Sequence, residues 1–301
     1  MLKPIGLTHG HYECRALEET IPIFTELLAL EVIERTPDQA ILKHPNTDWL
    51  LVVHEGGPDS RGKPHNNHYG FRVANPWEVE AAYKHILAHK EKYHIKTLTR
   101  PHENHFAHSI YFKEPGGNDL EIEYYEPRAL AEGRIIAAPP WKTLLTEDRF
   151  PGKGYIPQAM SHGTLQCDDK AVSDRFYEEV LGLKIIGGGR TSTYIRYPST
   201  PWYIVVLPAR KRELLAPVNR FTLQVASPAE VEEAHREFAA SGEKVGITAV
   251  EELEIHDGRS SFIFSDMDRN WWEVTAMEDR SRLGDVRNRG LRPAAQGSAD
   301  V

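Results

Sequence analysis

The chain has 301 residues, 40% hydrophobic and 27% charged, with a formal net charge of −8 and 15 histidines. That length suits about two domains of roughly 150 residues each, and the absence of a basic stripe makes nucleic acid an unexpected partner. Two cysteines exclude a disulfide scaffold, no run of about 18 apolar residues offers a membrane span, and no apolar leader follows Met1, so the expected location is the cytoplasm.

In chain order, the segment around His9 reads as a short strand. Leu17, Ile21, Phe24, Leu27 and Leu28 then recur at helical spacing, with Pro22 placed to delay or bend the helix. Residues 47–53 form a buried-strand run, and the alternation from His68 to Val73 opens a second cycle with a half-buried strand. Pro76 to His89 reads as a helix with proline at its start. Strands over 109–113 and 119–124 close the cycle, joined through Pro115-Gly116-Gly117-Asn118. The prolines and glycines of residues 127–158 suit a linker, and the Arg-, Gly-, Ala- and Ser-rich tail from about 281 is expected to be loosely ordered.

The chain repeats itself. His9-Gly10 and Cys14 return as His162-Gly163 and Cys167, and Leu28-Ala29-Leu30 returns as Leu181-Gly182-Leu183. Val73-Ala74-Asn75-Pro76 returns as Val225-Ala226-Ser227-Pro228, and Asn118 and Glu121 return as Asn270 and Glu273. The expected organisation is therefore α+β, with two homologous domains of two βαβββ modules each. These are a metal-binding catalytic domain (1–130), a linker (131–157), a degenerate copy (158–280) and a tail (281–301).

His9 and His68 each begin a cycle and Glu121 ends one. Taken singly, such residues are more often bonded core or solvated surface groups. Together, two imidazoles and one carboxylate make a set that binds Fe(II), or Mn(II), and leaves coordination positions open. If the two cycles of the N-terminal half pair edge to edge, their first strands lie side by side and the three side chains enter one curved sheet. His11 competes for the role of His9, but His9 is the one repeated, as His162, whereas Thr164 stands in the place of His11. In the second half the set becomes His162, Arg220 and Glu273. Arginine stays protonated and cannot ligate, so an Arg220–Glu273 ion pair without metal is expected there.

These motifs resemble the vicinal oxygen chelate superfamily, which includes glyoxalase I, fosfomycin and bleomycin resistance proteins and extradiol dioxygenases. The resemblance lies in His-Gly-x-x-x-Cys, in His68-Tyr-Gly-Phe-Arg-Val, and in Tyr111-Phe-Lys-Glu-Pro-Gly-Gly-Asn-Asp-Leu-Glu121. The two-domain length, Tyr111 and His102 are most similar to the two-domain type I extradiol enzymes. The resemblance implies an Fe(II)-dependent, ring-cleaving dioxygenase acting on a small catecholic or phenolic compound with O2. Tyr111 and His102 would hydrogen-bond substrate oxygens, and His54, His65 or His105 would be further proton carriers. A homo-oligomer is expected on general grounds. A glyoxalase-like isomerase or lyase, or a metal-free binding protein, is the alternative on the same fold.

Overall fold

The computed structural model describes residues 2–277 except 61, 64–66, 105–106, 127–140, 142, 189–190, 199, 201, 213 and 257. His105, His65, much of the expected linker and the tail from 281 lie outside the described residues. Four modules follow one another. The first is β1 (Gly6–Cys14), α1 (Leu17–Pro22), β2 (Glu31–Arg35), β3 (Gln39–Lys43) and β4 (Leu50–Glu55). The second is β5 (Tyr69–Arg72), α2 (Pro76–Ala88), β6 (Thr97–Leu98), β7 (His102–Asn104), β8 (Ala107–Lys113) and β9 (Asp119–Tyr125). The third is β10 (Ala159–Cys167), α3 (Lys170–Glu179), β11 (Lys184–Gly188), β12 (Thr193–Arg196) and β13 (Tyr203–Pro208). The fourth is β14 (Arg220–Gln224), α4 (Pro228–Ser241), β15 (Ala249–Val250), β16 (Glu254–His256), β17 (Arg259–Ser265) and β18 (Trp271–Met277).

Local chemistry explains the element ends. Pro22 has no amide hydrogen for the helical ladder, and α1 widens there into a π-helical turn over Ile23–Leu27. Helices α2 and α4 both start on proline, which is pre-set for the first turn. Gly182 leaves α3 at φ +68, a left-handed conformation that glycine adopts without a Cβ clash. Among the described residues, no helix is long and apolar enough to cross a membrane.

The modules do not pair within each half of the chain. Strand β1 pairs antiparallel with β14, and β10 pairs antiparallel with β5. One sheet runs β15-β17-β18-β14-β1-β4-β3-β2 and joins modules one and four. The other runs β11-β12-β13-β10-β5-β9-β8-β6 and joins modules two and three. This corrects the expectation that β1 and β5 lie side by side: each sheet draws one module from each half. Domains bounded at 130 and 158 therefore do not correspond to separate sheets.

The two sheets share one apolar core. At its centre Trp49 and Trp202, 1% and 0% exposed, stack with ring centroids 3.8 Å apart. They hold corresponding positions in modules one and three, so the pair joins the two sheets. Gly10 and Gly163 permit this packing. A Cβ at Gly10 would lie 2.5 Å from Trp49, and one at Gly163 2.8 Å from Phe221.

Candidate metal centre and substrate cavity

Three adjacent strands of the second sheet place His162, Gly70 and Glu121 in one row. His162 faces Gly70 across β10 and β5, and Gly70 faces Glu121 across β5 and β9. His68 precedes Gly70 by two residues and so shares its face of the sheet. Its carbonyl accepts hydrogen bonds from the Thr164 amide (3.0 Å) and hydroxyl (3.2 Å), which tie it to β10. Glu121 is set by the β8–β9 hairpin. There the Glu114 carboxylate accepts from the amides of Gly116 and Asn118 at 2.7 and 2.9 Å. Gly117 supplies the positive φ (+100) that the turn requires. The sequence motif Pro-Gly-Gly-Asn before the glutamate is therefore a turn that fixes register.

The donor atoms converge. Glu121 Oε2 is 3.2 Å from His68 Nε2 and 3.3 Å from His162 Nε2, and the two nitrogens are 3.4 Å apart. All three residues are buried. Ligand bonds of about 2.1 Å at right angles place neighbouring donors about 3 Å apart, so the trio fits one face of an octahedral divalent cation. Burial opposes protonation of His162, but the carboxylates of Glu123 and Glu121 outweigh it and raise its pKa to about 9. Burial also opposes ionisation of Glu121. Hydrogen bonds from His162 and His68 outweigh that and hold its carboxyl well below the usual range.

The trio opens into a cavity of about 230 Å³, with Tyr111, His102, Tyr194, Val205 and Leu207 among its walls. The Tyr111 ring lies edge-on to His68 at 5.3 Å and 5.8 Å from the His102 ring. Burial and the neighbouring Glu121 raise the pKa of Tyr111 and keep its proton on. His102 Nδ1 lies 3.0 Å from the Arg100 carbonyl. A carbonyl only accepts, so Nδ1 carries the hydrogen and Nε2 is left with a lone pair.

His9 is not with His68 and Glu121. It sits on β1 in the other sheet, where it groups with His11 and Glu273. The expected ligand set is therefore corrected at one position: His162, its repeat in module three, stands beside His68 and Glu121 instead. His54 also lies in the other sheet. It is bonded through Nε2 to His11 Nδ1 at 2.8 Å, away from the cavity. Tyr111 and His102 line the cavity.

The other cluster repeats the row with different residues. His9 faces Thr222 and Thr222 faces Glu273, in the register that brings together His162, Gly70 and Glu121. Arg220 takes the place of His68 and donates to Glu273 at 3.0 Å, as expected from sequence. Arg259 also pairs with Glu273. Burial, against the pull of Glu273 and with help from Arg259 and Arg220, lowers the pKa of His9 to about 3. Two guanidiniums already neutralise this carboxylate, and the site does not suit a metal cation.

Residues 8–122 match the family described as the Glyoxalase/Bleomycin resistance protein/Dioxygenase superfamily. A catechol-2,3-dioxygenase of Bacillus subtilis (strain 168) is 23% identical over 188 residues, 58% of this chain. The match spans 63% of that relative's length. Among solved structures, glyoxalase I of Zea mays superposes with a TM-score of 0.62 at 15% identity, over 93% of this chain and 94% of that one. A Bacillus subtilis protein described as a dioxygenase superposes at 0.61 and 14% identity, over 93% and 87%. At these identities the likeness of the structures lies in the fold.

Proposed function

We propose, from the match of residues 8–122 to the Glyoxalase/Bleomycin resistance protein/Dioxygenase superfamily, that the chain is an Fe(II)-dependent extradiol-type dioxygenase that cleaves a small catecholic or phenolic ring with O2. The observation that carries this reading is the convergence of His68 Nε2, His162 Nε2 and Glu121 Oε2 within 3.4 Å of one another at the base of a cavity. Two imidazoles and a carboxylate are the donor set of non-haem Fe(II) sites that keep positions open. Among the described residues, Val205 and Leu207 on β13 line the cavity without adding a fourth ligand, which would leave coordination positions for substrate and O2.

Bound Fe(II) would lower the pKa of a coordinated phenol and give O2 access to the ring's electrons. The chain's own residues do the rest. Tyr111, held protonated, donates to a substrate oxygen and orients the ring. His102 presents Nε2 as a base that takes the second hydroxyl proton and can return it. The walls of Val205 and Leu207 exclude water from the ring's edge. Both atoms of O2 enter the opened product, which carries one carbonyl and one carboxylate.

Anaerobic loading with Fe(II), then an oxygen electrode with a panel of catechols, tests this reading. One O2 consumed per ring opened, with the visible absorbance of the product, is expected. Turnover of a substrate without O2 uptake would replace the reading with a glyoxalase-like isomerase.

A further inference from the structure

Behind the donor trio lies a further buried carboxylate that is not one of the three donors. Glu123 lies two residues beyond Glu121 on β9 and is 0% exposed. Its Oε1 is 3.3 Å from His162 Nδ1, the ring nitrogen remote from the donor trio. Ser161 Oγ lies between them, 2.6 Å from Glu123 Oε1 and 3.1 Å from His162 Nδ1. A carboxylate only accepts, so the Ser161 hydroxyl donates to Glu123 and keeps lone pairs for an Nδ1–H. That places a ring hydrogen on Nδ1, so Nε2, which faces the Glu121 carboxylate, is the nitrogen on which a cation would take the place of a proton.

Charge balance comes from Arg72, whose Nη2 and Nε lie 3.1 and 3.3 Å from the same Oε1. Arg72 also donates to the Tyr203 hydroxyl at 2.8 Å, and the Tyr203 ring stacks on His162 at 5.5 Å and 14°. Glu123 Oε2 has no hydrogen-bond partner among the described residues. A buried carboxylate with one unsatisfied oxygen costs stability, and a neutral residue of similar volume would cost less. Packing alone therefore does not account for it.

The internal repeat supplies the comparison. In the sheet without a complete ligand set, Thr275 stands where Glu123 stands here, and the His9 Nδ1 contact is with the Thr8 hydroxyl at 2.9 Å. The buried carboxylate behind the histidine accompanies the full ligand trio and is missing where arginine has replaced a ligand.

We infer that Glu123 is a positioning residue which, with Ser161, holds the His162 imidazole in the orientation and tautomer that a divalent cation needs. Carboxylates behind a ligating histidine are commonly worth 10–100-fold in metal affinity. This inference rests on the metal reading, and the test separates the two. Chelator competition measures Zn(II) affinity of the wild type, H68A, E123L and E123Q. The ¹⁵N spectrum of histidines in the Zn(II)-loaded protein reads which His162 nitrogen is protonated.

Loss of Zn(II) in H68A, a 10–100-fold weakening in E123L and a smaller weakening in E123Q are expected, with Nδ1 protonated in the wild type. E123Q keeps an acceptor and nearly the same volume, so it carries the test if E123L does not fold. Failure of the wild type to bind Zn(II), or undiminished binding by H68A, would overturn the metal reading itself. Loss in H68A with both Glu123 variants within twofold of the wild type would overturn only the role given to Glu123.

Discussion

Gly70 faces His162 across the β10–β5 pair, and a Cβ added at Gly70 would lie 2.1 Å from the imidazole Cε1. The ring occupies the space that every other residue type would fill. Thr222 holds the equivalent position opposite His9, and its hydroxyl bonds to Glu273 at 3.1 Å. The His162 ring thus lies where Gly70 has no side chain, whereas the side chain facing His9 is a threonine committed to the carboxylate of that cluster.

Gly70→Ala follows directly. The clash is with the end of a side chain, so the His162 ring moves before the backbone does. The variant is expected to fold with a melting temperature close to the wild type and to bind Fe(II) or Zn(II) at least about tenfold more weakly. Chelator competition beside a thermal melt checks this. Undiminished metal affinity in a folded variant would contradict it.

The cavity groups are separable from the ligands. His102→Ala and Tyr111→Phe are expected to retain the metal and lose turnover. For His102 the expected loss in kcat is about 10²–10⁴-fold, the range for a positioned acid–base group. Steady-state kinetics together with metal content measure both quantities, and a parallel loss of metal would show that these residues hold the site together instead.

Stability should fall in mild acid through His44. Its Nε2 lies 2.9 Å from the Pro157 carbonyl, so that nitrogen carries the hydrogen, and Nδ1 accepts the Asn46 amide at 3.1 Å. Both nitrogens are committed in the neutral form. Burial, partly offset by the Pro157 carbonyl, lowers its pKa from 6.5 to about 4. Between these values the unfolded chain binds a proton that the folded chain does not, so stability is full above pH 6.5 and declines as pH falls towards 4. The contribution is roughly 3 kcal/mol at 1.4 kcal/mol per unit. Urea unfolding at several pH values should show a shallower decline in His44→Asn than in the wild type by about one proton. Equal slopes would refute the assignment.

Trp202 and Trp49 stack face to face where the sheets meet. Trp202→Ala should cost about 3–5 kcal/mol, the range for deleting a large buried aromatic. Denaturant unfolding measures it, and a loss under 1 kcal/mol would mean that the sheets are joined elsewhere.

Much of this was legible in the sequence. The repeat announced four modules, and Pro115-Gly116-Gly117-Asn118 announced the turn that sets Glu121. His68, Glu121, Tyr111 and His102 were each singled out and now surround one cavity. The pairing of modules was not legible, because β1 and β10 carry the same His-Gly-x-x-x-Cys motif and either could lie beside β5. The distinguishing signal is on the partner strand. Glycine stands two residues after His68, where the facing imidazole fills the space of a side chain, and Thr222 stands two residues after Arg220. His54 was misplaced for the same reason, since its strand follows β1 into the other sheet.

A cation held by His68 and His162, one histidine from each half of the chain, is tested by paired metal analysis. Wild type, His162→Ala and His9→Ala are loaded anaerobically with Fe(II), desalted and assayed for bound iron. About one iron per chain in the wild type and in His9→Ala, with little in His162→Ala, is the result expected. Iron retained by His162→Ala and lost from His9→Ala would contradict the account.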